Sequence, residues 1–293
     1  MTPTVCILLC TYNGSKYLKE QLDSLLAQKG VSASILIHDD GSSDGTHDII
    51  NEYGIPVTGG SHLGAALGFF YLLEAAPQAD YYAFCDQDDI WDDDKLLSAV
   101  DMLSSAGDTH ALYCCSTRLV NEDGSFITDH IVDSSRTLPA RLFYASISGN
   151  TICINAKMRD IALMHIPDKM IMHDSWLVKL CIATGGRFLI DEKPHISYRM
   201  HGNNEVGMEL NLKQKLGKFR RVVSSKGEGQ ELIDICRLYG SMVIPEYRHL
   251  ADIAEHSRTD AALRNGFMKK AGIDFKNEGF NTAFAMKVRR GNL

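Results

Sequence analysis

The chain has 293 residues, 45% hydrophobic and 23% charged, the composition of an ordinary globular protein with a sizeable core, and it lacks the roughly 18-residue apolar run that a membrane-spanning helix requires. The apolar run at residues 5–10 is short and follows no basic residues, so it indicates a strand and not a signal peptide. The net charge of −7 is unevenly spread, because residues 1–204 carry 14 Lys and Arg against 26 Asp and Glu whereas residues 205–293 carry 16 against 11, which predicts a different, anionic partner for the basic tail.

The first hundred residues alternate between strand and helix patterns. Short apolar runs predict strands at 5–10, 34–38, 56–58 and Tyr81–Cys85. Apolar residues at helical spacing predict helices at 15–28, 44–53, 63–76 and 92–104. Alternating strands and helices of these lengths favour an α/β fold, with a mostly parallel sheet covered on both faces.

The pattern changes after residue 110. Segments 111–120 and 125–127 flank a turn and predict an antiparallel pair. A strand at 151–155, a helix at 174–184, a strand at 187–190 and an extended segment at 195–200 are predicted next. From residue 208 onwards the chain is predicted to be helical and basic, so we expect an α/β domain at 1–207 and a helical extension at 208–293.

The eight cysteines contain no C-x-x-C pair. Most of them lie in apolar runs, which favours reduced core thiols in a cytosolic protein over a set of disulfides. The members of this apolar group are Cys6, Cys10, Cys85, Cys153 and Cys181.

Six aspartates occupy the nine positions 86–94, directly after the strand Tyr81–Cys85. Like charges at this density repel unless a cation lies among them. Asp86, Asp88 and Asp89 offer the oxygen ligands that Mg²⁺ or Mn²⁺ prefers. The aspartates at 92–94 are instead predicted to cap and solvate the start of a helix.

Two further polar segments, CTYNG at 10–14 and HDDGSSDGT at 38–46, also follow predicted strands and precede helices. The carboxyl ends of parallel strands meet at one edge of a sheet, which is where ligands bind in open α/β sheets. Asp40 can accept a hydrogen bond from the imide N–H of uracil or thymine, and Tyr12 can stack on a flat ring. Turn chemistry alone explains Gly41, Ser42 and Asp44 equally well.

These segments, together with DQDD at 86–89, MHDSW at 172–176 and YRMHGNN at 198–204, resemble the ordered motifs of glycosyltransferase family 2. The bacterial rhamnosyltransferase-type members, which build surface polysaccharide, are the most similar. The resemblance implies a GT-A fold, an α/β nucleotide-sugar-binding sandwich with a mostly parallel central sheet, here with a C-terminal helical extension. It also implies a metal-dependent enzyme, using Mn²⁺ or Mg²⁺, that inverts the anomeric centre.

The resemblance implies roles for individual residues. Asp40 would bind the pyrimidine and Asp86 the ribose side, and the full nucleotide-binding set is Thr11, Tyr12, Asn13, Asp40, Asp86 and Gln87. Asp88 would hold the metal, with Asp89 close by and His201 as a further ligand. The register among Asp86, Asp88 and Asp89 stays open, because the chain has one more aspartate than the motif needs.

Asp174 would be the general base of an inverting transfer, since one carboxylate must take the proton of the attacking acceptor hydroxyl. The alternative is that Asp174 only caps a helix starting at 175. The resemblance also implies contacts with the donor or acceptor sugar for Gly149, Asn150, His173, Trp176 and Arg199. Each has a structural alternative. Trp176 could pack in the core, and His173 could support its neighbours. Arg199 could pair with a carboxylate instead of phosphate, and Gly149 and Asn150 could only turn the chain.

The segment 210–226 combines an apolar helical face with a basic surround, which is typical of a surface helix and also of one that lies on an anionic membrane. The implied function is transfer of a sugar from a dTDP-rhamnose or UDP-sugar donor to a glycan or lipid-linked glycan, in the cytoplasm or at the inner membrane face, without a nucleic-acid partner. A nucleotidyltransferase that makes the donor and a non-catalytic nucleotide-sugar-binding module are the alternatives.

Overall fold

The structure is a computed structural model that describes residues 2–59, 62–167, 170–201, 229–257, 259–264, 266–291 and 293. The chain forms two compact units, one of Met1–Val132, Ile147–Asp174 and Gly186–Asn204, the other of Asp133–Ser146, Ser175–Gly185 and Glu205–Leu293. The predicted boundary at 207/208 falls outside the described residues and stays a prediction. The second unit takes two stretches from before that boundary in addition to the C-terminal region.

The first unit contains one sheet. Its described strands are β1 (Thr4–Thr11), β2 (Ser32–Asp39), β3 (Val57–Thr58), β4 (Tyr81–Cys85), β5 (Ile90–Trp91), β6 (Ala111–Val120), β7 (Phe126–His130), β8 (Cys153–Asn155) and β9 (Arg187–Arg199). They follow the order β3-β2-β1-β4-β8-β6-β9-β5 across the sheet, with β7 paired to β6. Strands β1, β2, β3 and β4 are parallel, and β6 is parallel to β9, whereas β8, β7 and β5 pair antiparallel.

The described helices lie between and after these strands. Their bounds are α1 (Leu18–Leu26), α2 (Thr46–Tyr53), α3 (Gly64–Ala75), α4 (Lys95–Ser104), α5 (Leu138–Arg141), α6 (Ala156–Met164), α7 (His173–Ala183), α8 (Gln230–Tyr239), α9 (Pro245–Ser257), α10 (Ala261–Arg264), α11 (Phe267–Lys270) and α12 (Glu278–Arg289). The predicted α/β alternation of the first hundred residues is confirmed.

The core of the first unit forms because β1 is apolar on both faces and helices cover it. Residues 5–9 are all buried, as expected of a central strand in a parallel sheet. Leu18, Leu22 and Leu25 form one buried face of α1, and each contributes roughly 1.5–3 kcal/mol by leaving water. α2 ends where Gly54 adopts φ +62°, a left-handed conformation that glycine tolerates.

Helix α4 begins at Lys95, three residues later than predicted, so the predicted capping role of the preceding aspartates is wrong. Asp94 occupies the N-cap position, but its side chain makes no capping hydrogen bond. The three carboxylates form ion pairs instead, Asp92 with Arg118, Asp93 with Lys29 and Asp94 with Lys193. Residues just before them form the short strand β5, which pairs with β9 and was not predicted.

Two further differences arise in the second half of the sheet. β9 is one strand of 13 residues, although two separate extended segments were predicted. Its pairing with β6 shifts register near Pro194, where the sequence pattern is interrupted. Helix α6 was not predicted, and it starts after Asn155, whose side chain accepts a hydrogen bond from the Met158 N–H. The hairpin of β6 and β7 is confirmed.

The second unit is helical in its described part. Its apolar packing includes aromatic side chains that meet edge to face: Phe143 meets Phe267, and further such pairs form among Tyr144, Phe275, Phe280 and Phe284. The segment 210–226, predicted as a basic amphipathic helix, lies outside the described residues. Over the part of the chain that the structure describes, every helix is too short or too polar to span a bilayer. All eight cysteines are free thiols, as predicted.

Candidate active site

Three polar loops meet at the carboxyl edge of the sheet. β1 pairs with β2 on one side and with β4 on the other, all in parallel, so the segments after Thr11, Asp39 and Cys85 emerge side by side. The backbone N–H of Asp40 donates to the Thr11 carbonyl at 2.9 Å. The predicted convergence of CTYNG, HDDGSSDGT and DQDD at one edge follows from this pairing.

Gln87 joins the loop after β4 to the loop after β1. Its Oε1 accepts hydrogen bonds from Thr11 Oγ1 at 2.6 Å and from the Tyr12 N–H at 2.9 Å, and its Nε2 donates to the Tyr12 carbonyl at 3.1 Å. A Cβ at Gly14 would lie 2.1 Å from this Oε1, so any side chain there would displace Gln87 from these bonds. Gln87, predicted to bind nucleotide, therefore fixes the backbone of Tyr12, while the Tyr12 ring is half exposed.

Asn13 joins the loops after β1 and β2. It adopts φ +48°, a left-handed conformation that asparagine tolerates better than most residues. Its Oδ1 accepts from the Ser43 N–H at 2.9 Å, and its own N–H donates to Ser42 Oγ at 2.8 Å. The predicted nucleotide-binding residue thus also shapes the loop.

Two consecutive aspartates hold the loop after β2. Asp39 is buried and accepts from the Ser42 N–H at 2.8 Å and from Ser42 Oγ at 2.6 Å. Asp40 Oδ1 accepts from the Leu63 N–H at 2.6 Å, and its Oδ2 accepts from the Gly64 N–H at 3.1 Å, at the start of α3. Burial opposes ionisation of Asp40, but these N–H donors and His38 outweigh it and hold the pKa of Asp40 below its usual value.

His38 is a member of this group that the sequence analysis missed. It is buried, and its Nδ1 lies 3.2 Å from the Thr58 carbonyl while its Nε2 lies 3.3 Å from Asp40 Oδ1. The only available signal was its position directly before the DDGS segment, and the contact with Thr58 depends on the pairing of β2 with β3.

Asp88 and His201 lie together, as the proposed metal role requires. Asp88 Oδ2 is 2.9 Å from His201 Nε2, and the side chains are 15% and 7% exposed. The His201 ring stacks on the Tyr17 ring with centroids 4.9 Å apart. A carboxylate oxygen and an imidazole nitrogen at this separation can share one divalent cation, so the pair fits such an ion. Asp86 is partly exposed and lies two residues before Asp88 in the same loop.

Asp89 is buried and bonded within the protein. Its Oδ2 accepts from the Asn150 amide, and its Oδ1 accepts from the Arg199 N–H at 3.2 Å. Burial, and then the charge of Asp88, raises the pKa of Asp89. Asp88 is therefore better placed than Asp89 to meet a ligand at the open edge, which narrows the register left open by the sequence.

Arg199, predicted to meet phosphate or a carboxylate, is buried and bonded to a carboxylate. Its Nη2 donates to Glu20 Oε2 at 2.5 Å, its Nη1 to the Glu122 carbonyl at 2.6 Å and its Nε to the Asp88 carbonyl at 3.1 Å. These bonds tie the end of β9 to the loop of Asp88, so Arg199 positions this loop.

Asp174 lies in the first turn of α7, which begins at His173. It is therefore inside the helix, and the alternative of a cap before residue 175 is not what the structure shows. The carboxylate is partly exposed, and its place in the first turn puts it at the positive end of the helix dipole.

Four other residues predicted on the sugar side are buried. Asn150 uses its amide on Asp89, and Gly149 and Asn150 form a short 3-10 helix, Gly149–Thr151. His173 is buried among aromatic rings. Trp176 has no exposed surface, which corresponds to the packing alternative and not to a wall of an open site.

A second cluster of possible metal ligands contains Asp92, Asp94 and His195, with ligand atoms within 4.8 Å of one another. His195 is buried, with Nδ1 2.9 Å from Asp94 Oδ1 and Nε2 3.2 Å from Asp191 Oδ2. Asp92 and Asp94 are also paired with Arg118 and with Lys193, respectively. The basic side chains of Arg118 and Lys193 thus already offset the negative charge of this cluster. The contacts of His195 connect the start of α4 to β9.

Comparison with known proteins identifies the class. Residues 6–172 match the model of the family Glycosyl transferase family 2. The dTDP-rhamnosyl transferase RfbG of Shigella flexneri is 31% identical over 225 residues, which cover 71% of this chain and 76% of that protein. The chain therefore belongs to glycosyltransferase family 2.

Solved structures support the same fold. The S. aureus TarS 1–349 structure in complex with UDP-GlcNAc covers 100% of this chain and 90% of its own length, with a TM-score of 0.59 at 14% identity. The mannosyltransferase PcManGT from Pyrobaculum calidifontis, in complex with GDP-Man and Mn²⁺, covers 99% and 85%, with a TM-score of 0.54 at 15% identity. The fold is the expected GT-A fold with additional C-terminal helices, and the protein is a glycosyltransferase.

Proposed function

We propose that this protein is an inverting glycosyltransferase that uses a nucleoside-diphosphate sugar and a divalent cation to extend a glycan or a lipid-linked glycan in polysaccharide synthesis. The observation that carries the proposal is the pair of Asp88 and His201, 2.9 Å apart at the sheet edge where the two other polar loops also emerge. A nucleotide sugar needs these features together, since its base, diphosphate and sugar require different contacts.

The loops after β1 and β2 would bind the nucleoside. The half-exposed Tyr12 ring supplies a stacking surface, and Gln87 holds its backbone in place. Asp40 stays ionised because of its N–H donors, so it can accept a hydrogen bond from a pyrimidine imide. Thr11 and Asn13 complete the loop, and Asp86 would face the ribose.

Asp88 and His201 would hold Mn²⁺ or Mg²⁺, which would offset the charge of the donor diphosphate. PcManGT, the relative of similar fold that was solved with Mn²⁺, supports this assignment. The buried Asp89 and Arg199 would hold the two ligands in position through their bonds to the same loop.

Asp174 would act as the general base. Its carboxylate takes the proton of the acceptor hydroxyl while the oxygen forms a bond to the anomeric carbon. The bond from that carbon to the diphosphate breaks on the opposite face, and the diphosphate leaves with the electron pair, so the anomeric configuration inverts. The name of RfbG makes dTDP-rhamnose the first donor to test and UDP-sugars the second. The proposed location is the cytoplasm, with membrane contact through segment 210–226.

The test is a turnover assay with dTDP-rhamnose and a panel of UDP-sugars in Mn²⁺, which reports release of nucleoside diphosphate. Asp174→Asn should lower turnover by ~10² or more, because an amide cannot take the proton. Calorimetry should find the affinity for dTDP or UDP unchanged in this variant. Asp160→Asn, on the exposed surface of α6, is the matched control.

Near-normal turnover in folded Asp174→Asn would reject the base assignment. Binding of UDP or dTDP without turnover of any donor would instead favour the non-catalytic module. Consumption of a nucleoside triphosphate with a sugar phosphate would favour the nucleotidyltransferase.

A further inference from the structure

His173 directly precedes the proposed base and is enclosed by aromatic rings. Its ring centroid lies 4.0 Å from that of Phe69 on α3 and 5.2 Å from that of Phe84 on β4, stacked on the latter at 25°. Neither ring nitrogen of His173 has a hydrogen-bond partner among the described residues. Burial lowers the pKa of His173 to about 3, so the imidazole is neutral near pH 7 and acts through its shape.

Gly149 fits against this ring because it has no side chain. A Cβ at position 149 would lie 2.5 Å from His173 Nε2, closer than real Cβ contacts allow, and 3.6 Å from the Cβ of Asp174. The backbone at 149 therefore lies directly against the first turn of α7. Close packing of this kind resists displacement, since interiors have few voids into which a ring could move.

The next residue connects this contact to the donor side of the site. The Asn150 amide donates to Asp89 Oδ2, and Asp89 adjoins the proposed metal ligand Asp88. Asn150 is fully buried, so its hydrogen bond is protected from water. A short series of contacts thus runs from Asp89 through Asn150 and Gly149 to His173.

We propose that Gly149 and His173 are positioning residues that set the place of the Asp174 carboxylate relative to the donor. This inference rests on the proposed function, since it takes Asp174 as the base. The steric contact of Gly149 with His173 holds the start of α7 against the loop that Asn150 attaches to Asp89. An in-line attack tolerates little error, and a displacement of about 1 Å can cost ~10² in rate.

The first test is a size exchange. Gly149→Ala should lower kcat about 10- to 100-fold with unchanged affinity for UDP or dTDP in Mn²⁺, because the added methyl displaces His173 and the adjoining Asp174. The double variant Gly149→Ala/His173→Ala should turn over faster than Gly149→Ala alone, since the smaller side chain leaves room for the methyl. Gly279→Ala in α12, where a Cβ would lie 3.5 Å from Asn277 Oδ1, is the matched control.

The second test asks whether the effect acts through Asp174. In an Asp174→Asn background, Gly149→Ala should change kcat by less than about twofold, because the group that it displaces has already lost its function. A merely structural defect would lower kcat by the same factor in both backgrounds. Thermal unfolding of each variant accompanies the rates.

The inference fails if the double variant turns over no faster than Gly149→Ala, or if Gly149→Ala lowers kcat by the same factor with and without the Asp174 carboxylate. If Gly149→Ala does not fold, His173→Ala carries the same comparison in both backgrounds. Failure of the proposed function is recognised separately, by near-normal turnover in Asp174→Asn alone.

Discussion

His201 Nε2 and Asp88 Oδ2 lie 2.9 Å apart, although 113 residues separate them in the chain. Stacking on Tyr17 orients the His201 ring, and a bond from Arg199 Nε to the Asp88 carbonyl orients the loop. A ligand pair oriented in this way needs little rearrangement to hold a cation. The contact with Asp88 and the stacking on Tyr17 therefore support the proposed metal-binding role of His201.

His201→Ala should raise the Mn²⁺ concentration required for half-maximal turnover by at least about tenfold, because one ligand is lost while Asp88 remains. The measurement is turnover of the donor against Mn²⁺ concentration. His256→Ala is the control, since His256 lies in α9 of the second unit, where its Nδ1 is 2.7 Å from the Asp252 carbonyl. Lower activity with an unchanged Mn²⁺ requirement would assign His201 to structure alone.

Within the second unit, a buried ion pair joins the part of α7 after Asp174 to α8. Lys179 Nζ lies 2.6 Å from Glu231 Oε2, and the side chains are 2% and 6% exposed. Ser175 Oγ donates to the same carboxylate oxygen at 2.7 Å. Such a pair offers weak net stabilisation when intact, but the loss of one partner leaves a buried charge without compensation.

Lys179→Met should lower the free energy of unfolding by ~3–5 kcal/mol, because Glu231 would keep its burial and lose its counter-charge. Arg237→Met is the matched control, since the Arg237–Glu255 pair is exposed and an exposed pair contributes about 0–1 kcal/mol. Urea denaturation followed by circular dichroism measures both variants. Equal, small effects would mean that water reaches Glu231 in the folded protein.

At the scale of the whole molecule, several groups have a lower pKa in the folded protein than in the unfolded chain. Burial lowers the pKa of His173 to about 3, and hydrogen bonds that outweigh burial lower the pKa of Asp40 and of Asp44. In each case the unfolded chain binds more protons in acid, so stability falls as the pH falls. Burial acts in the opposite direction on Asp89, whose raised pKa favours the folded state at lower pH.

We expect the contribution of His173 to be fully present above about pH 6.5 and to be lost as the pH falls from 6.5 towards 3. His173→Asn removes the titrating group, so the urea midpoint of this variant should change less with pH across that window. His249→Asn is the control, because the His249 side chain is exposed and is hydrated before and after unfolding. Parallel pH profiles for the wild type and His173→Asn would contradict this expectation.

The sequence by itself determined the elements whose signal is local. The continuous apolar runs of β1 and β4, bounded by turn residues, predict buried strands, and the helical spacing of leucines predicts α1. The order of polar motifs after the strands also indicated one sheet edge, since parallel pairing brings those ends together. Strands and helices of this kind depend on residues that are close in sequence, so the spacing of apolar residues is enough to predict them.

Only the tertiary structure distinguishes the surroundings of the adjacent residues Asp88 and Asp89. Asp88 meets His201 and Asp89 meets Asn150, across 113 and 61 residues of chain, and no local pattern records such contacts. Helix α4 begins later than the sequence predicted for the same reason: Asp92 and Asp94, before its start, pair with Arg118 and Lys193, which are distant in sequence. Partners that are distant in sequence decide burial and charge balance, so identical side chains in one loop acquire different roles.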